Sequence, residues 1–172
     1  MTALDRYALR VAREAKNASQ ITAAQSANLK KRLLLEAARL LGKEKRKIIE
    51  ENKKDLRRTA QRKLSPALLD RLTLNEKRIG EMQEGIRVVA QLEDPVGQVL
   101  KKWRRPNGLK ISKVTVPLGV IFIIYESRPN VTSECASLCL KSGNAVILRG
   151  GSEAFNSNRA LVKVYQEVRL QA

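Results

Sequence analysis

Histidine is absent from this chain of 172 residues, cysteine occurs twice, and aromatic residues make up only 3%. The absence of histidine excludes a Ser-His or Cys-His nucleophile pair within the chain. Cys135 and Cys139 are four residues apart, so they would share one face of a helix. Two thiols do not supply the four ligands of a zinc site, and CxxxC is not the redox CxxC spacing. We therefore expect both cysteines to be structural and no metal site.

Long apolar runs are also missing. No stretch of 18 apolar residues occurs, so no transmembrane helix is predicted, and charges interrupt the first residues, MTALDRYALRVAREAKNAS, too often for a signal peptide. Hydrophobic residues still make up 43% of the chain, which is enough for a core built from Leu, Ile, Val and Ala. These features predict a soluble, cytoplasmic protein with no membrane partner.

Acidic residues are scarce beside basic ones: 17 Asp and Glu face 34 Lys and Arg, a formal net charge of +17. Such a balance makes nucleic acid a candidate partner. The basic clusters, among them Lys30-Lys31-Arg32 and Lys53-Lys54, lie on predicted helices whose apolar stripes are regular. Base-stacking aromatics do not interleave them. Solvated helix faces explain the charge without a nucleic-acid partner, and a basic nucleic-acid-binding module is the rival interpretation.

Residues 1–94 are predicted to form a helical segment, because apolar residues recur there at helical spacing. One face of the first helix carries Leu4, Ala8, Val11 and Ala15. The second helix covers about residues 24–41 and the third, which is heavily charged, about residues 44–62. Two further helices follow, and the later one keeps Ile79, Met82, Ile86 and Val89 on one side.

Capping residues predict where these helices begin and end. Gly42 would close the second helix, and Ser65-Pro66 fits an N-cap followed by proline at the first helical position. Thr73 with Glu76 matches a capping box. Asp94-Pro95 ends the helical segment, because the residue before proline disfavours the helical region.

Residues 95–116 are predicted to form a β-hairpin. Val96–Trp103 and Leu109–Val116 would be its strands, around a turn that contains Asn107-Gly108, a strong turn signal.

Residues 117–172 read as strand, helix, strand and helix. The first strand, Gly119–Tyr125, is a nearly continuous apolar run, typical of a parallel strand buried on both faces. Asn130 would cap the next helix and Gly143 would end it; the second strand would be Asn144–Leu148 and the last helix Ala154–Val168. The fold class is therefore α/β, with a helical arm and a hairpin that lead into a doubly wound Rossmann sheet.

Two βα units do not complete such a sheet. We therefore expect a truncated cofactor domain with uncovered apolar surface, and hence a fold of low stability or a tendency to aggregate.

Ligands of open α/β sheets bind at the carboxyl ends of the strands, where this chain has two loops, Tyr125–Asn130 and Arg149–Ser152. In the second loop, Gly150 and Gly151 allow a tight turn and close approach of a ligand. Free N–H groups of the following helix and the Arg149 cation would suit a phosphate. A plain strand-to-helix turn with a surface arginine is the alternative, and the GxGxxG fingerprint is absent.

The first loop also carries two candidate side chains. Asn130 could donate its amide to a developing oxyanion or serve only as a helix cap. Arg128 could bind a carboxylate or phosphate in a forked geometry or be a solvated surface charge.

The residues of these loops lie in a recognisable segment, VPLGVIFIIYESRPNVT followed by ASLCLKSGNAVILRGGSEA. It resembles the glutamyl phosphate reductases, a branch of the aldehyde dehydrogenase superfamily. Upstream, LSPALLDRLTLNEKRI and LEDPVGQV are similar to the same family, so the resemblance covers essentially the whole chain. It implies an NADP(H)-dependent oxidoreductase of proline biosynthesis that reduces L-glutamyl 5-phosphate to glutamate 5-semialdehyde and releases phosphate.

The resemblance also implies roles for individual residues. Asn130 matches the asparagine that donates its side-chain amide to the oxyanion. Arg149 falls where the superfamily has a lysine that contacts the cofactor ribose, and Ser152 falls where NAD-preferring relatives often carry glutamate. A small residue there leaves room for the 2′-phosphate of NADP, so Arg149, Gly150-Gly151 and Ser152 become the cofactor-binding candidates. Arg128 has no secure counterpart and is a candidate for the substrate anion.

The nucleophile of the family is a cysteine thiolate, and neither Cys135 nor Cys139 matches it. The resemblance places that thiol in a later domain, so we expect this chain to be inactive alone. The hairpin resembles the oligomerisation arm of the superfamily, which implies a homo-oligomeric full-length enzyme. A non-catalytic remnant is the remaining alternative.

Overall fold

The computed structural model describes residues 1–60 and 65–168, and helices fill most of the first half. The predicted helical segment is confirmed, although the predicted end of its third helix lies outside the described residues. The helices before the first strand are α1 (Ala3–Ala23), α2 (Ala27–Lys43), α3 (Lys45–Ala60), α4 (Pro66–Leu72) and α5 (Glu76–Gln91).

The core lies between α2, α3, α5 and the last helix, α7 (Phe155–Glu167). Its fully buried side chains come from all four helices and include Leu34, Leu41, Ile48, Ile79 and Leu161. Burial of one such side chain contributes about 1.5–3 kcal/mol. The helical segment and the end of the described chain therefore share one hydrophobic core.

Two of the predicted helix boundaries are wrong. The helix α2 continues through Gly42 to Lys43, and a Cβ on Gly42 would collide with the side-chain amide of Gln83. That amide donates to the carbonyl of Ala38 at 2.8 Å. The glycine therefore marks the crossing of α2 and α5 and does not end a helix.

The N-cap of α5 is Asn75 instead of Thr73, because the Asn75 side chain accepts from the backbone of Arg78 at 2.8 Å. The Thr73 hydroxyl bonds back to the carbonyl of Leu69 at 2.7 Å, at the end of α4. The predicted N-cap Ser65 is confirmed, with Pro66 in the first turn of α4.

The hairpin is confirmed, with shorter strands than predicted: β1 (Val99–Arg104) pairs antiparallel with β2 (Lys110–Val114). Gly108 has a φ of 86°, which favours glycine in the turn. The turn closes through hydrogen bonds from Arg105 to Leu109 and from Gly108 to Arg105, both 2.9 Å. Every residue of β1 is exposed.

The remaining elements are β3 (Val120–Ile124), α6 (Pro129–Lys141), β4 (Ala145–Arg149), a short 3-10 turn (Ser152–Ala154) and α7. The strands β3 and β4 pair in parallel, as the sequence predicts, and Ile124 lies opposite Arg149. Gly143, with a φ of 71°, follows the end of α6.

The burial predicted for both faces of β3 is wrong. Phe122 and Ile124, which share one face of the strand, are 58% and 66% exposed. The helix α1 packs against both strands and α6 packs against β4. Within the described residues, the Phe122 face lacks a comparable cover.

A nearly buried ion pair joins the helices to the chain that enters the hairpin. The Lys30 ammonium, 1% exposed, lies 2.6 Å from an Asp94 carboxylate oxygen, and Asp94 is 16% exposed. The same carboxylate accepts from the backbone of Val96 at 3.0 Å. Asp94, three residues after the end of α5, therefore ties the chain to α2 and fixes its direction after Pro95.

Candidate functional site

The two loops that follow β3 and β4 are in direct contact. The backbone N–H of Tyr125 donates to the carbonyl of Arg149 at 3.1 Å. Beyond the strand ends, the Ser127 hydroxyl donates to a Glu153 carboxylate oxygen at 2.7 Å. The loops thus form one rim at the carboxyl edge of the sheet, where the sequence predicted a ligand site.

A cleft of about 510 Å³ opens beside this rim. Its lining includes Tyr125, Ser127, Arg149 and Gly151. Arg149 is exposed, and among residues 1–60 and 65–168 its side chain has no hydrogen bond or ion pair. The cleft therefore offers a cation and loop backbone to an anionic ligand, and the carboxylates of Glu126 and Glu153 also line it.

Gly150 and Gly151 allow the loops to approach each other. A Cβ on Gly150 would lie 3.0 Å from the Tyr125 ring and would collide with the Asn158 amide. A Cβ on Gly151 would collide with the Ser127 hydroxyl. The sequence interpreted these glycines as allowing a tight turn near a ligand, and the structure adds that the facing loop leaves no room for larger residues.

Tyr125 connects the first loop to the two following helices. Its hydroxyl lies 2.6 Å from the Thr132 hydroxyl, which in turn bonds Asn158 at 3.0 Å. Burial raises the pKa of Tyr125, and this effect outweighs that of the hydrogen bond between Tyr125 and Thr132, which lowers the pKa. Tyr125 is therefore protonated at neutral pH and acts here as a structural hydrogen-bonding group.

The start of α7 is not open to a phosphate in the way that the sequence predicted. The fully buried carboxylate of Asp55, on α3, accepts from the backbone N–H of Asn156 at 3.1 Å and of Ser157 at 2.8 Å. The Asn156 amide and the Ser157 hydroxyl also donate to it, at 2.9 and 2.7 Å. A side chain from a distant helix thus occupies the groups that were expected to be free.

The same helix, α3, holds the loop after β4. Arg58 donates from Nη2 to the carbonyl of Ser152, and the same nitrogen lies 3.3 Å from Asp55. One turn earlier, Asn52 accepts from the backbone of Leu74 and donates to Ser157, at 2.8 and 3.0 Å.

Sequence reasoning missed these α3 residues because it interpreted the helix as a solvated, charged face. A signal was present: Asn52, Asp55 and Thr59 continue the buried stripe of Ile48 at spacings of four, three and four residues. Small polar residues in line with a core residue indicate a buried polar seam between helices.

Arg128 and Asn130 lie at a second place, a groove of about 610 Å³ lined by residues of α5 and α6. The predicted N-cap role of Asn130 is wrong, because α6 begins at Pro129 and Arg128 occupies the N-cap position. Proline is pre-organised for the first helical position, which moves the helix start ahead of Asn130. The Asn130 amide donates to Glu134 at 2.8 Å.

Arg128 carries an unsatisfied donor beside this groove. Its Nε atom is buried and has no hydrogen-bond acceptor within the described part of the chain. The guanidinium lies 3.9 Å from the exposed carboxylate of Glu126, which also lies 3.8 Å from Arg71. Two guanidinium groups therefore converge on one carboxylate.

The cysteines have the structural setting that the sequence predicted. Cys139 is buried, Cys135 is half-buried, and both are free. Burial raises the pKa of both thiols, which opposes formation of the nucleophilic thiolate. Over residues 1–60 and 65–168, no group of three or more Cys, Asp or Glu side chains could hold a metal ion. No helix in the same ranges has both the length and the apolarity needed to cross a bilayer.

Comparison with solved structures identifies the class of fold. A benzaldehyde dehydrogenase from Corynebacterium glutamicum superposes with a TM-score of 0.70 at 20% identity, over 92% of this chain and 32% of that one. The chain therefore has the fold of the corresponding part of an aldehyde dehydrogenase.

Within that class, two more similar structures are γ-glutamyl phosphate reductases. The crystal structure from Thermotoga maritima matches with a TM-score of 0.90 and 42% identity, over 93% of this chain and 39% of that one. The structure from Saccharomyces cerevisiae matches with a TM-score of 0.88 and 36% identity, over 92% and 40%.

Comparison of sequences finds similarity to the same enzymes. A γ-glutamyl phosphate reductase from Carboxydothermus hydrogenoformans is 59% identical over 159 residues, 92% of this chain and 38% of the relative. One from Sulfurihydrogenibium is 53% identical, over 94% and 36%. No protein-family model matches. The chain corresponds to the N-terminal portion of the γ-glutamyl phosphate reductases and spans little more than a third of the length of these relatives.

Proposed function

We propose that this chain supplies the helical segment and the first cofactor-binding loops of a cytoplasmic γ-glutamyl phosphate reductase. The reaction is the NADPH-dependent reduction of L-glutamyl 5-phosphate to L-glutamate 5-semialdehyde with release of phosphate, a step of L-proline biosynthesis. The observation that carries the proposal is the rim at the carboxyl edge of the sheet, in a chain 59% identical to such a reductase over 92% of its length.

The cleft residues fit a nicotinamide dinucleotide phosphate. Arg149 supplies a cation and Gly151 brings backbone to the cleft, and the small Ser152 follows directly in the chain. When bound, NADPH supplies the hydride for the reduction. The role of this chain is to bind and orient the cofactor. The contacting residues are Arg149, Gly150, Gly151 and Ser152.

Asn130 is the proposed oxyanion donor. Its side chain lies in the groove with Arg128, and its amide, held by Glu134 in this structure, is a hydrogen-bond donor that suits a developing negative charge. Arg128, with a buried Nε that lacks an acceptor in the described chain, is the proposed contact for an anionic group of the substrate. The nucleophilic thiol belongs to a part of the enzyme outside these residues.

The hairpin is the proposed contact between subunits of the full-length enzyme. Its strand β1 is exposed at every position and carries apolar Val99, Leu100 and Trp103. Such surfaces are typical of protein–protein contacts. We propose no nucleic-acid role for the basic helix faces, since several of their cations pair with acids three residues away, as Arg39 does with Glu36 and Lys47 with Glu44.

Activity is tested in a chimaera in which this chain replaces the corresponding part of the Thermotoga maritima reductase. The assay follows NADPH formation from glutamate 5-semialdehyde, phosphate and NADP, the reverse direction, because the acyl phosphate is hydrolytically unstable. We expect phosphate-dependent NADPH formation. A folded chimaera with no such activity would contradict the proposal.

The role of Asn130 is tested in the same chimaera by Asn130→Ala. We expect kcat to fall about 10²–10³-fold, the usual cost of losing one oxyanion donor, with little change in NADP affinity. The control is Asn17→Ala, since Asn17 is exposed on α1. Equal activity of the two variants would show that Asn130 is not the oxyanion donor.

A further inference from the structure

The structure leaves no backbone donor at the second and third positions of α7 for a phosphate ligand. The N–H groups of Asn156 and Ser157 both donate to the buried carboxylate of Asp55. A phosphate bound near the preceding Ser152 cannot use those two donors, so side-chain cations gain importance for its recognition. One candidate is Arg149, at the end of β4.

A second cation reaches the same loop from the helical segment. The Arg58 guanidinium donates to the carbonyl of Ser152 and lies 3.3 Å from Asp55, both through Nη2. The side chain remains 43% exposed. A guanidinium has five N–H donors, so these two contacts leave donors for a further anion.

The two carboxylates nearest to this cation are both engaged in hydrogen bonds. Asp55 accepts four hydrogen bonds from the first turn of α7, which spread its charge into the helix. Glu153 accepts from Ser127 of the other loop at 2.7 Å and, through its second oxygen, from the Ser152 hydroxyl at 3.2 Å. Arg149 begins the short segment that bears Ser152, and Arg58 contacts the carbonyl of Ser152 itself.

We propose that Arg58 is a specificity-determining residue that binds the 2′-phosphate of NADPH together with Arg149. The inference rests on the proposed cofactor site and extends it to a helix far away in sequence. NADH has a ribose hydroxyl where NADPH has the phosphate, so loss of Arg58 should weaken NADPH binding selectively. A forked guanidinium suits phosphate oxygens better than the point charge of lysine.

The test is titration of this chain within the chimaera described above with NADPH and, separately, NADH, followed by cofactor fluorescence, with circular dichroism as the check of folding. For Arg58→Gln we expect about tenfold weaker NADPH binding, as for loss of one charge-assisted contact, and NADH binding within about twofold of the original. The matched control is Arg57→Gln, because Arg57 is exposed on the same helix, and it should change neither affinity.

The outcomes separate three cases. An equal loss of NADPH and NADH affinity in Arg58→Gln would mean that Arg58 only holds the loop, and it would overturn the inference. Unchanged NADPH affinity would overturn it as well, while leaving the cofactor site intact. Failure of the unaltered chain to bind either nucleotide would overturn the cofactor site and this inference together.

Two further measurements protect the test against a folding defect. Arg58→Lys keeps the charge and should retain part of the NADPH preference. The probe 2′,5′-ADP should bind more tightly than 5′-AMP, and Arg58→Gln should reduce that difference. Equal affinities of the unaltered chain for the two probes would contradict the inference.

Discussion

The helical core and the parallel sheet of β3 and β4 differ in how completely they bury their side chains. Between α2, α3, α5 and α7, large apolar residues such as Leu34 and Ile79 are fully buried, and buried polar groups such as Asn52 and Asp55 are hydrogen-bonded. On the sheet, Phe122 and Ile124 remain mostly exposed. The candidate loops extend from the sheet but are held by the helices, so we expect their order to depend on α3 more than on β3.

The largest expected effect concerns that connection. Asp55→Ala leaves four donors in the first turn of α7 without their acceptor, so we expect a loss of about 3–5 kcal/mol in unfolding free energy. Urea denaturation measures it. The control, Glu50→Ala, at an exposed position on the same helix, should change stability by less than about 0.5 kcal/mol. Similar losses in both variants would contradict the importance of this contact.

A pair of truncations compares the two regions directly. Leu34→Ala should cost about 2–5 kcal/mol, because it opens a cavity in the helical core. Phe122→Ala removes a larger side chain but an exposed one, so it should cost less than about 1 kcal/mol. Urea denaturation of both variants gives the difference, and equal costs would mean that the exposed face of β3 is covered in solution.

The ion pair at the end of the helical segment predicts a pH dependence. Desolvation, the largest single influence on Asp94, raises its pKa, but the hydrogen bonds from Lys30 and Val96 and the charges of Lys30 and Lys141 outweigh it and lower the pKa. Because the folded-state pKa is lowered, the stabilisation is present above the unfolded-state pKa, about 3.9, and is lost as pH falls through the folded-state value.

Asp94→Asn should therefore be less stable than the original chain at pH 7, and the difference should shrink at pH 3. Urea denaturation at the two pH values measures it. The exposed Glu93, changed to Gln, serves as the control and should show a much smaller change with pH. A difference in stability that stays constant from pH 7 to pH 3 would mean that the ionised Asp94 carboxylate is not the stabilising form.

Substitutions on the exposed face of β3 should have the smallest effect on stability. Phe122→Thr combined with Ile124→Thr should change the unfolding free energy by less than about 1 kcal/mol, since both side chains are mostly exposed and threonine suits strands. Analytical ultracentrifugation should show less self-association, because the apolar patch is reduced. Unchanged self-association would mean that the exposed face of β3 is not the surface through which the chains associate.

The sequence predicted the element order, the hairpin and the place of the two loops at the carboxyl ends of the strands, because periodicity, Asn-Gly and apolar runs are local signals. It failed where a distant element decides the outcome. Gly42 faces Gln83 of another helix, and Asp55 caps a helix about a hundred residues later. Asn130 was misassigned because Pro129 starts the helix ahead of it. Such tertiary contacts leave little trace in a single sequence.

The most direct test of this account is hydrogen–deuterium exchange of the chain with and without NADPH. If the loops at the carboxyl edge of the sheet form the cofactor site, NADPH should slow exchange in residues 125–128 and 149–157 and leave residues 99–114 of the hairpin unchanged. Slower exchange in the hairpin alone, or no change in either loop at saturating NADPH, would contradict it.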